Sequence, residues 1–107
     1  MTPDELAHQI AQLLEQEAAA KSDADEAKEW RDILLATLET EYGADAKNQT
    51  QAKAMAKADR RYRAETTDML IKRRLANELA AKVKGREKIW ETWRTKSATK
   101  RAEMKLV

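Results

Sequence analysis

The chain has 107 residues, with 21 Lys and Arg against 19 Asp and Glu, no Cys, no Phe, one Pro and two Gly. The missing cysteines exclude a disulfide scaffold, a Cys-ligated zinc site and a thiol nucleophile. So little Gly and Pro excludes an all-β sandwich, and no run approaches the 18 apolar residues of a membrane span.

What remains is an Ala/Glu/Lys/Arg/Leu-rich helical chain of one domain at most. Thr2-Pro3-Asp4-Glu5 reads as a helix start. Thr2 caps, Pro3 suits the first helical position, and Glu5 completes a capping box. Helix one is expected over about 3–42. Leu6, Ile10, Leu13, Leu14, Ala20, Ala24, Ala27, Ile33, Leu34 and Leu38 follow helical spacing. Ser22 or Asp23 offers a second N-terminus, so one helix with a weak point and two helices both stay open. Gly43 suits the left-handed position that ends a helix, and a turn is expected over 43–48.

Asn48 and Gln51 form a further capping-box pattern, and helix two is expected over about 49–84. Met55, Tyr62, Met69, Ala76 and Val83 recur every seven residues as one seam row. Ala52, Asp59, Thr66, Arg73 and Ala80 form the companion row, with Leu70, Leu75 and Leu79 beside it. Residues 86–105 are expected as a C-terminal helical segment, with Ile89, Trp90 and Trp93 on one face and Ser97 or Thr99 as a cap for a last short helix reaching Leu106. The expected fold is therefore all-α: a long antiparallel helical hairpin with a C-terminal helical segment. Two such helices bury little, so the tail is expected to fold back or the chain to self-associate as a homo-oligomer. Folding about residues 45–47 places Trp30 near Tyr62 and the Arg60-Arg61-Arg63 cluster.

Charge is divided along the chain. Residues 1–53 hold 5 basic and 12 acidic residues, and residues 54–107 hold 16 basic and 7 acidic. The Arg60-Arg61-Arg63 and Lys72-Arg73-Arg74 clusters have Glu26, Glu29 and Asp32 of helix one as obvious ion-pair partners. Residues 82–105 concentrate nine basic residues against three acidic ones around two tryptophans.

No catalytic arrangement emerges. His8 stands alone, and Gly43 and Gly85 are too far apart for a phosphate loop. The Asp23/Asp25/Glu26 group lacks the oxygen cage and turn glycine of a calcium loop. No enzyme, cofactor or metal is expected. Lys82, Lys84, Arg86, Lys88, Arg94, Lys96, Lys100 and Arg101 are the candidate phosphate contacts. Lys and Arg that neutralise phosphates release counterions, which gives affinity without reading sequence. Trp90 and Trp93 either stack on unpaired bases or brace the hairpin. The expected partner is nucleic acid, with single strands favoured, or an acidic protein surface. Met1-Thr2-Pro3-Asp4-Glu5 has neither the basic nor the apolar region of a secretory signal, so a cytoplasmic chain is expected.

Two stretches carry a resemblance. Trp90-Glu91-Thr92-Trp93-Arg94 with Ala98-Thr99-Lys100-Arg101-Ala102-Glu103-Met104, and Asn48-Gln49-Thr50-Gln51, resemble parts of small helical accessory proteins encoded by tailed bacteriophages. The resemblance implies an accessory role in phage or mobile-element DNA metabolism inside a bacterial host. It equally suits a helical adaptor or inhibitor docking on a host or phage protein. A structural coiled-coil oligomer is the third expectation.

Overall fold

A computed structural model describes residues 1–106. They form three helices, α1 (Pro3–Gly43), α2 (Gln49–Ala58) and α3 (Arg60–Leu106), arranged as an all-α helical hairpin with no strand among them. Among the described residues no helix is long and apolar enough to cross a membrane.

The start of α1 is capped as its sequence requires. Glu5 N–H donates to Thr2 Oγ1 and Thr2 N–H donates to Glu5 Oε2, both at 3.2 Å. The helix then runs 41 residues without interruption, so Ser22 and Asp23 start nothing. Neither residue faces a break in the backbone ladder that would give its side chain a free N–H to cap. The other end departs from expectation. No glycine has positive φ, so Gly43 closes α1 in right-handed geometry. The Tyr42 carbonyl satisfies the turn by accepting from the N–H groups of Asp45 and Ala46, at 3.1 and 3.0 Å.

Asn48 caps α2 by accepting from Gln51 N–H at 2.8 Å. Helix two does not continue as one element from residue 49 to 84. It breaks at Asp59, which has extended geometry with ψ of 138°. The Asp59 side chain takes the Arg61 N–H at 2.8 Å, and its carbonyl takes that of Arg63, so one residue ends α2 and caps α3. Downstream, neither Gly85 nor Ser97 nor Thr99 interrupts α3, so no separate C-terminal segment exists. A glycine costs a helix interior only about 1 kcal/mol, which a 47-residue helix absorbs.

The contacts gather into two compact units. One joins Met1–Ala18 to Asn77–Val107, and the other is Ala19–Ala76. In the first, Pro3 shares a groove with Trp90, Trp93 and Arg101, while Gln16 shares one with Lys82. Rising numbers on α1 thus meet falling numbers on α3, as antiparallel helices require. The tail does not fold back; the far half of α3 is itself the partner of the first turns of α1. In the second unit Glu41 meets Arg61, and the pairing is again antiparallel.

Spacings of three and four set the seam. On α1 the seam runs through Leu6, Ile10, Leu13, Glu17, Ala20, Ala24, Ala27, Arg31, Leu34 and Leu38, none of them exposed. Ala20, Ala24 and Ala27 are buried, and such small side chains bring helix axes toward the short end of the usual 8–10 Å. On α3 the row Tyr62, Met69, Ala76 and Val83 is covered as expected. Of the companion row, Thr66 and Ala80 are half-buried but Arg73 is exposed, and the row a residue earlier, Glu65, Lys72, Leu79, Arg86 and Trp93, is covered throughout. Arg73 is exposed, whereas Leu79 is buried. Stepping three rather than four residues from each member of the apolar row reaches this second row. Leu70 and Leu75, Leu14 and Ile33 accordingly stand outside the seam.

Candidate nucleic-acid interface

All ten candidate residues lie on the second half of α3, within one unit. Trp90 and Trp93 occupy successive seam positions and are half-buried. Across from them on α1, Leu6 is completely buried. It lies between Pro3, which shares a groove with both tryptophans, and Gln9, which shares one with Ile89. Leu6 is therefore level with the Trp90–Trp93 turn. Burying a leucine there is worth about 1.5–3 kcal/mol. The indoles act against α1 first, and only their outer parts meet solvent.

Two open grooves flank this turn. The first, of about 520 Å³, is lined by Gln9, Gln12, Leu13 and Gln16 of α1 and by Lys82, Gly85, Arg86 and Ile89 of α3. Gly85 leaves room here, because a Cβ built on it meets nothing within 4 Å. Arg86 is half-buried at a seam position. The second groove, of about 680 Å³, includes Pro3, Trp90, Trp93, Arg94, Ser97 and Arg101. The structure thus brings Lys82 together with Arg86, and the two tryptophans together with Arg94 and Arg101. Lys84, Lys88, Lys96 and Lys100 are exposed and line neither groove. The basic residues do not form one straight stripe; they surround the helix.

Their electrostatic state differs from that of the basic residues upstream. In the other unit Arg61 pairs with Glu41 at 2.9 Å and with Asp59 at 3.2 Å, and Lys72 pairs with Asp68 at 3.0 Å. The partners of Arg61 are thus not Glu26, Glu29 or Asp32, and Asp32 instead binds its neighbour Arg31. The Arg61 guanidinium is held firmly charged by Asp59 and then Glu41. The Asp59 carboxyl is held well below the usual carboxylate range, first by Arg61 and then by the Tyr42 hydroxyl, which donates to it at 2.6 Å. That bond raises the Tyr42 phenol in turn. Lys72 is raised by Asp68, with Asp23 and Glu26 adding to the effect. Among the described residues, no ion pair involves any basic residue from Lys82 to Lys105. Arg101 alone uses its side chain internally, donating from Nε to the Ser97 carbonyl at 3.4 Å.

The Glu41–Arg61 tie also relocates Trp30. Eleven residues back along α1 from Glu41, its level on α3 is near residue 72, about 16 Å from that of Arg61 at 1.5 Å per residue. The chain folds about α2 rather than about residues 45–47, so Trp30 does not face Tyr62. It is 60% exposed.

Sequence reasoning passed over the Tyr42–Asp59–Arg61–Glu41 network. An Asp two residues before an Arg, in a stretch otherwise reading as helix, was its one local signal.

Among the described residues no group of three or more His, Cys, Asp or Glu side chains is placed to hold a metal ion. No family model, curated protein or solved structure matches the chain.

Proposed function

We propose that the chain is a non-enzymatic nucleic-acid-binding accessory protein that works as an oligomer in phage or mobile-element DNA metabolism, in the bacterial cytoplasm. The observation that carries this reading is the set of basic residues from Lys82 to Arg101, which no ion pair within the chain neutralises, on a helix whose last turns are exposed on every side. Unpaired cations at that density attract a polyanion and exchange its counterions. Lys84, Lys88, Lys96 and Lys100 would meet phosphates as point charges. Arg94 and Arg101 would do so beside Trp90 and Trp93, whose outer edges offer a base a partial stacking surface. The likeness of the Trp90–Met104 stretch to phage accessory proteins points the same way.

A mobility shift with single- and double-stranded oligonucleotides at two salt concentrations tests the reading. Binding at low salt, steeply weakened at high salt, is expected. Absence of binding at low salt removes it.

A second reading, a helical adaptor or inhibitor, is favoured by exposed apolar residues away from the basic segment: Trp30, Ile33, Leu70, Ile71 and Leu75. A partner retained at high salt with no nucleic acid recovered would support it.

A further inference from the structure

Two exposed apolar lines lie side by side on the Ala19–Ala76 unit. On α1, Asp23, Glu26, Trp30 and Ile33 follow one another at spacings of three and four, so they share a face. On α3, Asp68, Ile71 and Leu75 do the same. Lys72 ties the two lines to one side of the hairpin: its Nζ is 3.0 Å from the Asp68 carboxylate, and Asp23 and Glu26 both act on its charge. Trp30, Ile33, Ile71 and Leu75 are 60, 58, 63 and 52% exposed. Four large apolar side chains gathered on one face differ from the scattered ones that any surface carries. The two edges of the face have opposite charge. Glu26 and Glu29 stand along the α1 edge and Arg74 along the α3 edge, and none of the three is in an ion pair within the chain among the described residues.

We propose that this face is the contact with a second copy of the chain, the two copies being related by a two-fold axis parallel to the helices, so that α1 of each lies over α3 of the other. The proposal rests on the self-association put forward above and adds the surface and the arrangement. When a face meets its own copy about such an axis, left and right edges exchange. The acidic α1 edge then lies along the partner's basic α3 edge, which favours this register. A two-fold axis across the helices would instead set α1 on α1, with Glu26 and Glu29 facing their own copies. In the favoured arrangement every adjacent pair of helices is antiparallel, and the level of Trp30 falls within about a turn of the partner's Ile71. From Asp23 to Ile33 the face is about 15 Å long and it is two helices wide, on the order of 300 Å² per copy in projection. An interface of this size falls below the roughly 1,200 Å² of standard specific contacts, in the range of weak, reversible association, where charge complementarity decides the register.

The test uses the full chain without nucleic acid. Sedimentation equilibrium should give twice the 12.2 kDa chain mass, and Ile71→Glu should return it to one chain with the helical circular dichroism intact. The chain has no cysteine, so single ones can be placed at will. Glu26→Cys chains mixed with Arg74→Cys chains should form disulfides mainly between unlike chains. A single-chain mass for the unaltered protein at all concentrations overturns both the self-association and this face. A dimer indifferent to Ile71→Glu, or Glu26→Cys chains that cross-link only to each other, leaves self-association standing and overturns the face and its arrangement.

Discussion

The carboxylate of Asp59 accepts from the Arg61 backbone, from the Arg61 guanidinium and from the Tyr42 hydroxyl, and so joins the end of α1 to the start of α3. These donors favour the charged form, so the folded state holds this group below its ordinary value of 3.8. The unfolded chain then binds the proton first as pH falls. The stabilisation from Asp59 is full above about pH 4 and is lost progressively as pH drops toward the depressed folded value. Asp59→Asn keeps a capping side chain but removes the charge. Thermal melts from pH 6 to 2 should therefore show a weaker acid dependence in that variant than in the unaltered protein. An identical dependence in both contradicts the role assigned to the network. For Tyr42 the sign is opposite: its raised phenol stabilises the fold below the ordinary value of 10.0, and that contribution falls as pH rises through it. At Trp90 and Trp93 the two roles separate by measurement. Their half-buried seam positions predict that alanine at either lowers the melting temperature, at less than the roughly 3–5 kcal/mol of a fully buried aromatic. A variant that melts normally but loses about 1–3 kcal/mol of single-strand binding would instead mark a stacking residue.

At the scale of the elements, burial follows the 3–4 spacing rather than hydrophobicity alone. Leu38 is completely buried and Leu14 is 45% exposed, though both are leucines on α1. Leu38→Ala should cost about 2–5 kcal/mol of stability in a denaturant melt, and Leu14→Ala well under half as much. The start of α1, the Asn48 cap and the row through Met69, Ala76 and Val83 were readable from residue types, because caps and heptads are local patterns. The companion row was readable only in part, since Thr66 and Ala80 are half-buried while Arg73 is exposed. From an apolar residue both the third and the fourth neighbour are candidates, and Arg73 and Lys72 look alike in sequence although Lys72 is half-buried and Arg73 exposed. The break at Asp59 was hidden for a related reason. Aspartate is tolerated inside a helix, and what makes it a cap here is Tyr42, 17 residues away. The candidate site was readable as composition but not as geometry. Charge counting found the basic residues, while their division between two grooves depends on the phase of α3 against α1. The C-terminal half of α3 carries a prediction of its own. Lys84→Ala, Arg86→Ala, Lys88→Ala and Arg94→Ala together should weaken nucleic-acid binding and flatten its salt dependence with helix content retained. Retained affinity at an unchanged slope would move the interface elsewhere.

For the whole molecule, the near balance of charge conceals its separation. The acidic residues lie mostly on α1 and the basic ones mostly on α3, so each hairpin partner screens the other. Among the described residues that screening takes the form of an ion pair between the two helices at Arg61 and Glu41, Lys72 pairs with Asp68 of its own helix, and no ion pair forms in the segment after Lys82. The unneutralised part of the chain is thus the part left to attract a polyanion, and long-range attraction of this kind acts on the association rate before any contact forms. The most direct measurement is a fluorescence-anisotropy titration of a labelled single-stranded oligonucleotide across a series of salt concentrations. If about five of the basic residues between Lys82 and Arg101 meet phosphate, the log–log slope should lie near −3.5, and near −4.5 for a duplex. No binding at low salt, or binding whose strength does not change with salt, would contradict a phosphate-binding role for this helix.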